Sequence, residues 1–462
     1  MKRLLRWTAR ITAGCVLAVT RSVAQGAPAD STVHRTTLDN GLQVIVAENH
    51  SVPIVTVLIA VRNGAMTQDS GNEGMAHLYE HLLFRSYKGD PDAFALEASD
   101  LDADWNGTTA EEVVTYYLAP PSKNAMKAIA LLARLVERPR FNARDLKDER
   151  PVVLNELQRD EADPEQSLER QASRMLWGPS WSRKDVGGDS ASLKHIDIPQ
   201  LQLAYGEYYV PNNAALVVTG DISTSDVFAA AKEQFGPWTR APDPFAQRPV
   251  PAVAPLTASS ALLMGKPVTH ALILVKYRGP SAGQDTISPY AIDLLCDVLN
   301  EHGSAFQRHL AGSGVFQSVQ CGYETLGHVG PITFRGVTIP ERAPQALTAL
   351  LHELDGLAGM EGVTDEDLAI AKKRQRVTSE LEGESSYALA PVLAESWAIG
   401  GREAYELYER RVAAQRLVDL KDVATLFVSA QPRIIAVLAP PEIIPNLQVA
   451  LRSAAGSIER AP

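Results

Sequence analysis

Gly74-Met-Ala-His77-Leu-Tyr-Glu80-His81-Leu-Leu-Phe84 is the stretch around which the rest of the chain is organised. On a helix, residues three and four apart share a face, so His77, Glu80 and His81 project together. Met75, Ala76, Leu78, Leu82, Leu83 and Phe84 surround them as the flanks of a buried helix. Two neutral imidazoles one turn apart suit Zn²⁺, which favours nitrogen ligands and tetrahedral geometry. Glu80 beside such a metal is placed to take a proton from water rather than to bind the ion. A hydrolytic zinc site also needs a third protein ligand, and no residue next to the trio supplies one.

The segment Gln68 to Asn72 ahead of this helix provides polar caps. Before it, Leu42–Ala47 and Ile54–Val61 read as a strand pair around a turn at Glu48–Ser51. After it, Leu101–Thr109 leads into a strand at Val113–Leu118, and Lys123–Glu137 has helical periodicity. A longer helical region runs from Ala143 to about Leu176. Within it, Glu149 and Glu156 stand two turns apart on one face, among Val152, Val153, Leu154 and Leu157. Taken alone they describe a solvated helix face, because nothing local joins them to His81.

These motifs together resemble the pitrilysin/insulinase family of zinc metallopeptidases, the inverzincins, and in particular two-domain members similar to mitochondrial processing peptidase subunits. Gly74-x-Ala76-His77-x-x-Glu80-His81-x-x-Phe84 matches the family's metal motif, and Glu149-Arg-Pro-Val-Val-Leu-Asn-Glu156 matches the segment holding its third ligand. Asn106-Gly107-x-Thr resembles the family's edge strand, and Tyr208 to Ile222 the motif closing its first domain. The resemblance implies His77, His81 and Glu156 as zinc ligands and Glu80 as general base. It implies Glu149 as an outer support of the ligands, and Asn106 and Gly107 as substrate-binding residues. Pro151 departs from the pattern and suggests that the helix kinks or restarts there.

Residues 239–260 are Pro-rich and read as a linker between units at 33–238 and 261–458. The second unit echoes the first: His270–Tyr277 parallels Ile54–Val61, a helix at Ser288–His302 takes the place of the His-x-x-Glu-His helix, and Arg433–Leu438 parallels Ala215–Thr219. The fold expected is α+β, two homologous repeats of a mixed or antiparallel sheet with packed helices. The second copy has no metal motif. Where the family presents an Arg and a Tyr to substrate, this chain has Ala311 and Gln317. The resemblance then implies the zinc-bearing subunit of a dimer, a homologous subunit supplying the pair; alternatively Arg308 or Tyr323 substitutes within the chain. A zinc endopeptidase acting on unfolded peptides in a closed chamber is the activity implied, and a non-catalytic peptide-binding or scaffolding subunit is the alternative.

At 462 residues, with 45% hydrophobic and 21% charged content, the chain can bury large cores. Its formal charge of -11 excludes a broad nucleic-acid surface, which needs clustered Lys and Arg. A basic leader (Lys2, Arg3, Arg6, Arg10), an apolar run Ile11–Thr20 and the small residues Ser22-Val-Ala24 read as a signal peptide of residues 1–24, with the periplasm as destination. Gly14-Cys15 is a poor lipoprotein site because Thr12 precedes it. After cleavage Cys296 and Cys321 remain, as a disulfide or as buried thiols.

Overall fold

The computed structural model describes residues 33–400, 402–452 and 454–460, so the expected signal peptide lies outside the described residues. Two six-stranded mixed sheets form the frame. The first contains β1 (Val33–Thr37), β2 (Gln43–Glu48), β3 (Val55–Val61), β4 (Asp104–Thr109), β5 (Val114–Ala119) and β6 (Ala214–Gly220), in the order β1-β2-β6-β3-β5-β4. The second contains β7 (Ser260–Gly265), β8 (Ala271–Arg278), β9 (Ser318–Tyr323), β10 (Pro331–Thr338), β11 (Ile434–Ala439) and β12 (Ser457–Arg460), in the order β12-β7-β11-β8-β10-β9. Five strands correspond one to one. Among these five, one parallel pair, β2 with β6 or β7 with β11, is followed by antiparallel neighbours. The sixth differs: β1 runs antiparallel to β2, whereas β12 runs parallel to β7. The α+β architecture of two homologous repeats is therefore the observed one.

One local expectation fails. β2 and β3 do not pair, because β6 lies between them. Every residue of β6 is buried, and a central position covers both of its faces and both of its edges.

The helices that matter for the site are α1 (Met75–Arg85), α2 (Ala143–Ala162), α3 (Pro164–Trp177), α4 (Ser288–Asn300), α5 (Asp365–Glu384) and α6 (Ser386–Gly400). The helical region expected from Ala143 to Leu176 is thus two helices. Asp163 breaks it and caps the second, its side chain accepting from Glu165 and Gln166 N–H, with Pro164 at the first helical position. Pro151, in contrast, neither ends nor restarts α2. It sits on the exposed face, as does Lys147 four residues earlier, so water can pair the carbonyl that proline leaves unbonded.

The repeats exchange helices. α3 lies on the second sheet, where Leu168, Ala172 and Leu176 pack on Leu272, Leu274 and Ala436. α6 lies on the first sheet, where Leu389, Leu393 and Trp397 pack on Ile45, Leu58 and Val217. Each sheet carries its own helices on one face and a borrowed one on the other. The Pro-rich stretch after β6 holds one short helix, Pro244–Gln247, and it separates the two sheets but not their cores. Cys296 on α4 and Cys321 on β9 are disulfide-bonded, with Cα atoms 5.0 Å apart. Among the described residues no helix is long and apolar enough to cross a membrane.

Candidate metal centre

The start of α1 is fixed by a side chain from outside it. Gln68 is wholly buried; its Oε1 accepts from Gly74 N–H at 3.0 Å and Ala76 N–H at 3.3 Å. Its Nε2 donates to the carbonyls of Ser182 and Asp185, both at 3.0 Å. The polar cap expected from this segment is therefore one glutamine that ties α1 to the loop after α3. Gly74 itself has φ 85° and packs so closely on Gly188 that a Cβ on Gly188 would lie 2.3 Å from Gly74 atoms.

From this start, α1 presents His77 and His81 to α2. The Nε2 atoms of the two imidazoles are 3.3 Å apart, and Glu156 Oε2 lies 3.6 Å from His77 Nε2 and 3.7 Å from His81 Nε2. A tetrahedral Zn²⁺ with bonds of 2.0–2.2 Å sets its ligand atoms about 3.3–3.6 Å from one another. Three donors of the right chemistry already stand at nearly that spacing. Among the described residues, this is the one group of His, Cys, Asp and Glu side chains so clustered. The residues fit a zinc ion. Burial, and then the neighbouring His81, pushes the His77 pKa down to about 3, which keeps its imidazole neutral.

Glu149, one of the expected supports, reaches His81. Its Oε2 lies 3.2 Å from His81 Nδ1, so that nitrogen carries the proton and Nε2 is left to face the site. Burial works to lower the His81 pKa, but this hydrogen bond and the charges of Glu80 and Glu156 outweigh it and the pKa rises. The other Glu149 oxygen is paired with Arg85 at 2.9 Å. Arg85 was not singled out from the sequence, although its place four residues after His81 puts it on the same helical face.

Glu80 is 9% exposed and lies against β4. Thr109 donates its hydroxyl to Glu80 Oε2 at 2.7 Å. Burial raises the Glu80 pKa, opposed by the Thr109 hydrogen bond and His81. A Cβ on Gly107 would come within 2.9 Å of Glu80 Cγ, so the carboxylate rests directly on the strand backbone. Thr109 closes the Asn106-Gly107-x-Thr motif, but the sequence assigned it no role; the alternation of a strand, two residues on from Gly107, puts it on the Glu80 side.

β4 is an edge strand. The β4–β5 turn closes with Ala110 N–H donating to Val113 C=O at 2.9 Å. Antiparallel alternation then spends the main-chain groups of Thr108 and Asn106 on β5 and turns those of Gly107 and Thr109 toward the open edge. Gly107 therefore lies beside Glu80 with an available backbone, while exposed Asn106 faces the other side of the sheet.

Two related mixed-sheet repeats, with a His/His/Glu cluster in the first alone among the described residues, define a class of two-domain α+β fold with one candidate metal site. Comparison with known proteins places it. Residues 43–180 match the model of the insulinase family (peptidase family M16), and residues 195–375 match that of the peptidase M16 inactive domain. The chain belongs to peptidase family M16. It is similar to an uncharacterized zinc protease of Mycobacterium leprae, 26% identical over 346 residues, 74% of this chain and 76% of that protein. It is also similar to a protein of Arabidopsis thaliana named a probable mitochondrial-processing peptidase subunit beta, at 21% identity over 422 residues, covering 89% and 79% of the two chains. Among solved structures, a protease from Helicobacter pylori shares the fold with a TM-score of 0.79 at 20% identity, across 89% of this chain and 100% of that one.

Proposed function

We propose that this chain is a zinc-dependent endopeptidase of unfolded peptides, with His77, His81 and Glu156 as ligands and Glu80 as general base. The observation that carries the reading is the convergence of the two imidazoles and Glu156, brought together from helices 75 residues apart in sequence (81 to 156), beside the open edge strand β4. Zinc bound there would lower the pKa of its water and polarise the scissile carbonyl. Glu149 holds His81 in the tautomer that leaves Nε2 free. Glu80 takes the proton of the attacking water and passes it to the leaving amine. The backbone of Gly107 and Thr109 pairs with an extended peptide, a contact that reads conformation more than sequence.

The zinc-bearing subunit of a dimer is the form we favour, its partner supplying the Arg and Tyr that Ala311 and Gln317 replace. Of the two substitutes within the chain, Tyr323 is buried with its hydroxyl on Pro280 C=O, and Arg308 folds back on Gly303 C=O. Export to the periplasm is part of the proposal, and the Cys296–Cys321 disulfide is in keeping with an oxidising compartment. The second reading, a non-catalytic peptide-binding subunit, is favoured by the absence of that Arg/Tyr pair.

Quenched, unstructured peptides incubated with the zinc-loaded chain, beside Glu80→Gln, test the proposal. Cleavage lost in the mutant supports a self-sufficient peptidase. Zinc bound at one per chain without cleavage, restored by a homologous subunit, supports the dimer. A chain that binds no zinc overturns both.

A further inference from the structure

The half without a metal motif grips the strand that holds Glu80. The turn after β4 is Glu111-Glu112, and both side chains are buried. Glu112 accepts from Gly327 N–H at 2.7 Å, from His328 N–H at 2.8 Å and, at 2.8 Å, meets His328 Nδ1. All three groups belong to the β9–β10 loop of the second repeat. The fit is close: a Cβ on Gly327 would lie 2.9 Å from Glu112 Oε2. Glu111 pairs with Lys184, whose ammonium also donates to Val329 C=O at 2.7 Å and lies 4.5 Å from the Trp177 ring at the end of α3. Two residues before Glu111, Thr109 donates to Glu80.

An edge strand is held by a ladder on one side only, so its ends set its position. At this end of β4 the first repeat supplies the turn hydrogen bond and two backbone bonds, Ala65 N–H to Ala110 C=O at 3.4 Å and Met66 N–H to Glu111 C=O at 2.8 Å, and the carboxylate of Glu112 and the Glu111–Lys184 pair add the contacts that reach the second repeat. Charge-assisted bonds to backbone N–H groups are the stronger kind, and removing the acceptor leaves buried donors unpaired.

We infer that Glu112 is a positioning residue: through the turn and Thr109, the second repeat sets where Glu80 stands relative to the metal site and the open edge of β4. The inference rests on the peptidase reading, and it gives the metal-free repeat a part in the reaction distinct from substrate binding. Small displacements of a catalytic group are expensive, with a shift of about 1 Å costing up to about 100-fold in rate.

The experiment uses full-length Glu112→Ala, Thr109→Val and the double variant, each loaded with zinc. Glu112→Ala should lower kcat about 10-fold while KM stays within about twofold and zinc remains at one per chain. Added to Thr109→Val, it should cost nothing further, since both act through one contact. Independently of activity, amide exchange in the peptide spanning residues 104–113 should quicken in Glu112→Ala and stay unchanged at β1, the other edge of the sheet. An unchanged kcat, losses that multiply in the double variant, or unchanged exchange over 104–113 overturns the inference. A wild-type chain that cleaves nothing sinks the peptidase reading instead, and the exchange measurement still decides the coupling. Should Glu112→Ala fail to fold, His328→Ala removes one contact of the three and should move exchange in the same direction by less.

Discussion

Replacing Glu149 by Gln tests whether the His/His/Glu cluster is a metal site or a packing coincidence. Glu149 is 7% exposed and its two oxygens are divided between His81 Nδ1 at 3.2 Å and Arg85 at 2.9 Å. Glutamine keeps the volume but has one accepting oxygen, so its NH₂ must face one of the two donors. One hydrogen bond to a charged group is lost, about 1.5–3 kcal/mol. If the donor lost is His81, its tautomer is no longer fixed and zinc affinity falls by about 10- to 100-fold, the usual effect of removing a ligand's outer partner. Competition against a chromophoric chelator of known affinity measures this directly. The expected order of loss is Glu156→Gln above Glu149→Gln above Arg85→Ala, since Arg85→Ala leaves the Glu149–His81 contact standing. Zinc binding by Glu149→Gln within about twofold of wild type would refute the argument that Glu149 orients a ligand.

Three further outcomes are expected. Zinc added in about 100-fold excess over its Kd should stabilise the fold by about 2.7 kcal/mol, read as a rise in melting temperature that a chelator reverses and Glu156→Gln abolishes. Leu168→Ala, at a wholly buried position of α3 on the second sheet, should cost about 2–5 kcal/mol and lower one shared calorimetric transition; two transitions, with only the first repeat's moving, would contradict the helix exchange. Glu73 and Asp189 share Ser192 near the start of α1: burial and then Asp189 push the Glu73 pKa up to about 7, while the hydrogen bond from Glu73 brings Asp189 down to about 2. A raised carboxyl favours the protonated fold, so the stability it contributes is full below about pH 4.5 and is lost as pH rises through 7. The decline in melting temperature between pH 5 and 8 should therefore be shallower in Glu73→Gln than in wild type.

What could be read from the chain divides by the range over which the physics acts. His77, Glu80 and His81 were legible because three- and four-residue spacing on a helix is a local geometric fact, and Glu149 and Glu156 shared a face for the same reason. Their meeting was not legible from spacing: it depends on packing of α1 against α2 across 75 residues and came only through resemblance. The expected strand pair failed because β-branched, apolar runs mark β2, β3 and β6 as strands without saying which is most in need of two neighbours. Pro151 misled because the proline penalty depends on whether water can reach the freed carbonyl, a property of the folded surface. The exchange of α3 and α6 was invisible for a related reason. An apolar stripe states that a helix must be covered, not by which repeat. Arg85 and Glu112 were the least legible, being ordinary polar residues until the fold gives each a partner, and Thr109 stood in the edge-strand motif without a role. Arg85 holds Glu149, Thr109 holds Glu80 and Glu112 holds the turn behind Thr109, and none would touch the ion. A sequence pattern records the side chains that meet a metal because that chemistry restricts residue type and spacing together. The groups that steer them are restricted only by distance, and distance exists only once both repeats have folded on one another.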